Sequence, residues 1–125
     1  MFKGIIDLES LNDANILNEI KVVKKYEEYH PEANIKHWHG LKIEISDGKI
    51  KSFTERISKV IKRDWYAIFW NKDDVFVVFF KKVFKLSREK VKSSNYKEVR
   101  DYGIKNNIQE KYMNFQKEID SWAIL

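Results

Sequence analysis

The sequence contains no cysteine, a single proline and only four glycines among its 125 residues. The lack of cysteine excludes a disulfide framework and any metal site built on thiolates. No apolar run approaches the ~18 residues that a membrane-spanning helix needs, and no charged-then-apolar leader opens the chain. We therefore expect a cytoplasmic protein with no membrane contact.

The chain also lacks internal repeats, low-complexity tracts and any linker rich in proline or glycine. Its length matches the commonest size of a single domain, so we expect one α+β domain over residues 1–125. Aromatic residues make up 14% of the chain and hydrophobic residues 43%, which argues against disorder.

Basic residues outnumber acidic ones by 24 to 19, giving a formal net charge of +5. Lysines and arginines concentrate in residues 49–63 and 81–92. The second window supplies the candidate polyanion-binding residues, which are Lys81, Lys82, Lys85, Arg88, Lys90 and Lys92. Such side chains can follow a phosphate backbone, with salt-dependent affinity. They can equally keep an exposed edge strand from aggregating.

Hydrophobic spacing predicts a strand, a short helix, two strands, a helix, three strands and two final helices. The first six elements match the βαββαβ ferredoxin-like plan, extended by a hairpin strand and two C-terminal helices, with a mostly antiparallel sheet. A capping box of Asn95 and Glu98 is expected to start the first of those helices. The strands are expected at residues 2–8, 21–29, 35–45, 65–70, 75–80 and 83–86, and the helices near 10–20, 50–61, 96–103 and 108–122. Residues 21–29 fit a strand or a continuation of the first helix about equally, and we favour the strand.

Aromatic residues suggest a binding surface on one face of this sheet. Trp38, Tyr66 and Trp70 are the candidate aromatic surface, because RNA-recognition domains stack bases on an open sheet face. Residues 75–80 are apolar at every position, however, which is typical of a strand covered on both faces. We therefore expect the C-terminal helices to cover the second face.

The histidines offer a possible metal site. His37 and His39 share one strand face, and His30 lies in the loop before them, with Glu32 as a further potential ligand. We predict instead that His37 and His39 contribute to the folded sheet, and that the protein holds neither metal nor cofactor.

Carboxylates could perform acid–base chemistry if burial separated their pKa values. The candidates are Asp64, Asp73, Asp74 and Asp101, but Asp73 and Asp74 fall in a predicted hairpin loop, where aspartate is favoured by turn geometry. No nucleophile elbow, P-loop, dinucleotide fingerprint or zinc-protease motif is present. We therefore assign no catalytic residue.

The chain resembles a family of small, uncharacterised prokaryotic proteins of about this length. The similarity lies in the opening 1–6 with Glu9-Ser10-Leu11, a Trp-containing strand ending at Glu44-Ile45, Trp65-Tyr66, the run 79–86, Tyr102-Gly103-Ile104, Ile108 and Phe115. Near the end, Asn106-Asn107 replaces a Leu-Gly type of turn. The resemblance implies a fold unit and no catalytic residue.

Two functional hypotheses remain open at this point. The leading one is a non-enzymatic binding module with a protein partner or a weak nucleic-acid contact. The alternative is a small enzyme that uses histidine or carboxylate acid–base groups. A pocket with two convergent titratable side chains would favour the enzyme, and a flat face of exposed rings would favour the binding module. The sequence leaves a homo-oligomer open.

Overall fold

The computed structural model describes residues 1–123 and contains a six-stranded antiparallel sheet. The strand order across it is β2-β3-β1-β4-β5-β6, and every neighbouring pair runs antiparallel. The predicted α+β class and antiparallel sheet are therefore confirmed. The strands are β1 (Phe2–Asp7), β2 (Lys21–Tyr29), β3 (His37–Ile45), β4 (Ala67–Trp70), β5 (Asp74–Phe79) and β6 (Lys82–Ser87).

Most of the helices are short. Over residues 1–123, no helix has both the length and the apolar character needed to cross a membrane. The α-helices are α1 (Ile50–Val60), α2 (Arg88–Lys92), α3 (Lys97–Lys105) and α4 (Phe115–Ser121), and 3-10 turns occupy Leu8–Ser10, Ala14–Glu19 and Glu110–Tyr112.

The short helix predicted after β1 is present over Ala14–Glu19 with Asp13 as its N-cap, and it has 3-10 geometry. Two other local predictions were wrong. The capping box does not form, because Tyr96 occupies the N-cap position of α3 and makes no side-chain capping bond. The last helix begins at Phe115, where the Asn114 side chain accepts a hydrogen bond from the Lys117 N–H. Before it, residues 106–114 follow an irregular path that brings Ile108 and Met113 into the core.

The first face of the sheet is covered by α1. This helix buries Ile50, Phe53 and Ile57, whose spacing of three and four residues places them on one side. They pack with Ile61 after the helix and with the alternate side chains of the strands. Those strand residues include Ile6, Leu41, Ile43, Phe69 and Val78.

The second face is covered by the C-terminal segment, as expected. Val91 of α2, Val99 of α3 and Phe115 of α4 belong to one buried cluster with Ile5, Ile68, Val77 and Phe79 of the strands. Strand β5 is therefore buried on both sides, with Val77 in this cluster and Val78 in the first.

Candidate functional site

A cavity of about 470 Å³ lies on the second face, at the end of the sheet where β1 and β2 finish and β3 and β4 begin. The C-terminal segment forms its other wall. Two loops meet at its rim, because the Lys111 Nζ donates to the Glu32 carboxylate at 3.2 Å. The cavity lies where the helical cover of the second face gives way to irregular chain.

Asp7 closes β1 and lies on the same strand face as Ile5, towards the cavity. Its Oδ1 is shielded from solvent and has no hydrogen-bond partner within residues 1–123. Burial, followed by the negative charges of Glu28 and Glu9, raises the pKa of Asp7 to about 7. The carboxyl group is thus close to half-protonated at neutral pH.

Glu118 of α4 reaches the same cavity. Burial raises its pKa to about 8, and the charges of Asp7 and Glu28 act in the same direction, while its bond to Tyr66 opposes the shift. The Tyr66 hydroxyl lies 2.6 Å from Glu118 Oε2 and also contacts the main-chain carbonyl oxygen of Tyr112. A hydroxyl carries one hydrogen, so Tyr66 can donate to the Glu118 carboxylate or to that carbonyl oxygen, but not to both at once.

Aromatic rings form one wall of the cavity. The His30 ring stacks on Trp38 with centroids 3.7 Å apart, and Trp38 meets the rings of Trp65 and Tyr112 edge-on at 5.0 Å each. The Trp38 indole N–H donates to the Ile35 carbonyl oxygen at 2.6 Å. These contacts hold the rings in a fixed arrangement.

Tyr26 forms the adjoining part of the wall because its partner across the strands is a glycine. Tyr26 of β2 is paired with Gly40 of β3, and a Cβ atom at Gly40 would overlap the phenol ring. The absence of that atom lets the ring lie across the sheet. Burial raises the pKa of the Tyr26 phenol, and the charge of Asp7 adds to the effect.

The cavity is acidic although the protein is basic. Five carboxylic side chains line it, against two lysines, whereas the whole chain carries a formal charge of +5. The acidic residues are Asp7, Glu28, Glu32, Asp64 and Glu118, and the lysines are Lys111 and Lys117.

The three candidate aromatic residues lie in two different places in the structure. Trp38 and Tyr66 both line the cavity. Trp70 is only 5% exposed and packs edge-on against Trp122 at 5.7 Å, so its place on a free aromatic surface was wrong. The cause is the C-terminal segment, which buries the part of the sheet where Trp70 lies.

The three histidines likewise lie in two different places. His30 lines the cavity, whereas His37 and His39 are exposed outside its lining. The His39 Nδ1 lies 2.5 Å from Glu9 and its Nε2 lies 2.8 Å from Glu27. Its hydrogen bond and charge interaction with Glu9 raise the pKa of His39. Over residues 1–123, no group of three or more histidine or acidic side chains could hold a metal ion.

The candidate polyanion-binding residues do not share one face. Lys82 and Lys85 lie on opposite sides of β6, which is an edge strand. Arg88 donates to the Asn71 carbonyl oxygen at 2.8 Å and so supports the turn between β4 and β5. Lys81 lies in a turn at a φ of 62°, and Lys90 and Lys92 flank the buried Val91 on α2.

Of the four aspartates considered for acid–base chemistry, only Asp64 lines the cavity. The N–H groups of Asp73 and Asp74 donate to the Asn71 side chain at 3.0 and 2.8 Å, which is a turn arrangement. Asp101 pairs with Lys97 at 2.6 Å on the surface of α3.

Sequence reasoning missed Asp7, Tyr26, Glu28 and Glu118. A signal was present for two of them. Asp7 follows the buried Ile5 on the same face of β1, and Glu118 interrupts the apolar stripe formed by Phe115 and Ile119. A carboxylate next to buried apolar residues on one face of an element indicates a group that is itself shielded from water.

No protein-family model, no curated protein and no solved structure matches this chain. A functional proposal therefore depends on the chemistry of the cavity itself.

Proposed function

We propose that the protein is a binding domain that takes a small organic molecule into the cavity lined by Asp7, Glu118 and the aromatic wall. This keeps the leading hypothesis of a non-enzymatic binding module without a cofactor, and replaces the macromolecular partner by a small ligand. The volume of about 470 Å³ supports it, because small-molecule sites usually enclose roughly 300–1,000 Å³.

The observation that carries the proposal is the unsatisfied Asp7. A buried polar atom without a partner destabilises a fold by roughly 1–3 kcal/mol. Asp7 lines the cavity, and its Oδ1 has no partner among residues 1–123. A donor group on a bound ligand would supply the missing hydrogen bond.

The four tryptophans provide the test. Trp38 and Trp65 line the cavity, whereas Trp70 and Trp122 form a separate pair outside its lining. We expect hits from a library of small organic fragments to shift the indole NMR signals of Trp38 and Trp65 and to leave the other two unchanged. A library that yields no hit, or shifts confined to Trp70 and Trp122, would contradict the proposal.

Acid–base catalysis is the second candidate, and the pair of carboxyl groups favours it. General acid–base chemistry near neutral pH needs groups whose pKa values lie close to that pH. The pKa values of Asp7 and Glu118, at about 7 and about 8, meet this condition within one cavity. Tyr66 would position Glu118.

This candidate can be tested on the same fragments. Slow chemical conversion of a bound compound, lost in Glu118→Gln while binding persists, would support an enzyme. Binding of every hit without conversion in the wild-type protein would leave the binding domain as the function.

We also propose a specific topology for the sheet, a family for the chain and a location in the cell. The order β2-β3-β1-β4 supports a ferredoxin-like core, because β3 lies between β1 and β2 as in a split βαβ unit. The 3-10 turns over Ala14–Glu19 stand where that plan has its first helix. We further propose a cytoplasmic location and membership of the family of small prokaryotic proteins that the sequence resembles.

A further inference from the structure

We infer that the ligand of this cavity is a small organic cation, an alkylated ammonium group set between the carboxylates and the aromatic wall. This inference rests on the proposed small-molecule site and names the chemical class that the site would take.

The first argument is the uncompensated acidity. Among residues 1–123, no lysine or arginine forms an ion pair with Asp7, Glu28 or Glu118, and the one basic side chain near them is His30, whose Nε2 lies 4.0 Å from Glu28. Of the two lysines in the lining, Lys111 is already paired with Glu32 at 3.2 Å, and Lys117 forms no ion pair with these three carboxyl groups. Shielded carboxylates without a counter-charge are unfavourable, and a cationic ligand supplies that charge.

The second argument is the aromatic wall. A cation within ~6 Å of a ring centroid is attracted to the ring face, and alkylated ammonium groups are held in this way between aromatic side chains. Trp38, Trp65 and Tyr112 stand together in the lining, with Tyr26 and Tyr66 beside the carboxylates. The rings can pack against the alkyl groups of such a ligand, and the carboxylates can pair with its positive charge.

Other ligand classes fit less well. An anion would meet an excess of negative side chains in the lining. A neutral molecule would leave the carboxylates without a counter-charge. The combination of rings and unpaired acids therefore selects a cation that also carries apolar substituents.

Binding of a cation should be linked to proton release. Asp7 and Glu118 each hold a proton for part of the time at neutral pH, and a neighbouring positive charge favours their ionised forms. The charged and titratable side chains that line the cavity with this pair are Tyr26, Glu28, His30, Glu32, Asp64, Tyr66, Lys111, Tyr112 and Lys117, and the charge of Glu9 also acts on Asp7. Affinity for a cation should accordingly rise with pH.

Choline and its neutral carbon isostere, 3,3-dimethyl-1-butanol, form a matched pair of probes. We expect choline to shift the indole signals of Trp38 and Trp65, and the isostere to bind about tenfold more weakly. The dissociation constant of choline should fall at least about threefold between roughly pH 6 and pH 8, as the two carboxyl groups ionise.

Variants connect this selectivity to the cavity. Asp7→Asn and, independently, Glu28→Gln should each weaken choline binding by about tenfold while leaving the isostere unaffected. Asp101→Asn removes the same charge from the surface of α3 and should leave both affinities unchanged. An equal loss in Asp101→Asn would assign the effect to long-range charge and overturn the inference.

The two proposals fail in different ways. If the isostere binds as tightly as choline and shifts the same indoles, the ligand is not a cation, but the cavity remains a small-molecule site. If choline and the isostere shift no indole, the cation inference is overturned, and the fragment library decides the proposed function separately.

Discussion

The two faces of the sheet are covered in different ways. On the first face, the 11-residue helix α1 lays one apolar stripe along the strands. Its buried polar side chains, Thr54 and Ser58, donate to carbonyl oxygens of the same helix at 3.0 and 2.5 Å. The second face is covered by four short elements together, which are α2, α3, α4 and a 3-10 turn. Carboxyl and phenol groups lie in the interior on this side.

Both faces leave some space, because a second cavity of about 610 Å³ lies beside α1 and is lined by residues that include Ile50, Thr54 and Phe76. The difference lies in the chemistry of the lining. The cavity on the second face opens where regular helix gives way to irregular chain, and its lining includes the carboxyl groups of Asp7 and Glu118 and the phenol groups of Tyr26 and Tyr66.

The largest effect should come from placing a charge in either face of β5. Val77→Asp enters the second cluster and Val78→Asp the first, and both valines are fully buried. Each change should cost several kcal/mol and unfold the protein, as followed by circular dichroism. Val23→Asp at a residue that is 45% exposed on β2 is the control and should change little. A wild-type melting temperature in either β5 variant would show that its face is not a true core.

A smaller effect is expected on the pH dependence of stability, to which the buried acids of the second face contribute. The folded protein holds the protons of Asp7 and Glu118 more tightly than the unfolded chain does, so their contribution to stability is complete below about pH 4. This contribution is lost as the pH rises through about 7 for Asp7 and about 8 for Glu118. The melting temperature should therefore fall between roughly pH 5 and pH 9. Asp7→Asn and Glu118→Gln should each flatten that fall and raise stability at high pH by on the order of 1–2 kcal/mol.

His39 also contributes to the pH dependence of stability, so the experiment includes a variant of this residue. Its raised pKa also gives stability that is present at low pH and lost as pH rises through that value. His39→Gln removes this contribution without replacing any residue that lines the cavity. If the pH dependence disappears in His39→Gln and persists in the two carboxyl variants, the cavity acids are not the source.

A milder test concerns the wall of the cavity. Gly40→Ala should push the Tyr26 ring from its place and destabilise the fold by about 1–3 kcal/mol, the usual range for overpacking. It should also shift the indole signal of Trp38. Gly48→Ala meets no atom within 4 Å and should be nearly neutral. Equal stability of the two variants would show that Tyr26 does not need the glycine.

The smallest effect is expected at the β6 edge, away from both covered faces. Replacing Lys81, Lys82 and Lys85 by glutamine should leave stability nearly unchanged, because all three side chains are exposed. We expect at most weak binding to a single-stranded oligonucleotide, with a salt slope that this triple variant reduces by about two units if the lysines touch phosphates. Sub-micromolar binding at physiological salt, abolished in the variant, would contradict this.

Much of the secondary structure follows from local spacing. The alternation along β3 and the three-and-four spacing of Ile50, Phe53 and Ile57 predicted a strand and a helix that the structure contains. The apolar run at 75–80 predicted a strand covered on both faces, and β5 is buried on both. The 3-10 geometry of the short helix after β1 and the late start of α4 escaped prediction, because tertiary contacts can override weak local propensity.

The candidate site is where sequence reasoning reached least far. Periodicity states which side of an element is apolar, and this sufficed to predict both faces of β5 and the covering of the sheet. It does not state which elements meet. Asp7, Glu28, Tyr66 and Glu118 come from four separate segments, and the sheet order together with the path of the C-terminal segment brings them to one cavity. The raised pKa values of Asp7, Tyr66 and Glu118 arise from burial and from neighbouring negative charges, which exist together only in the folded chain.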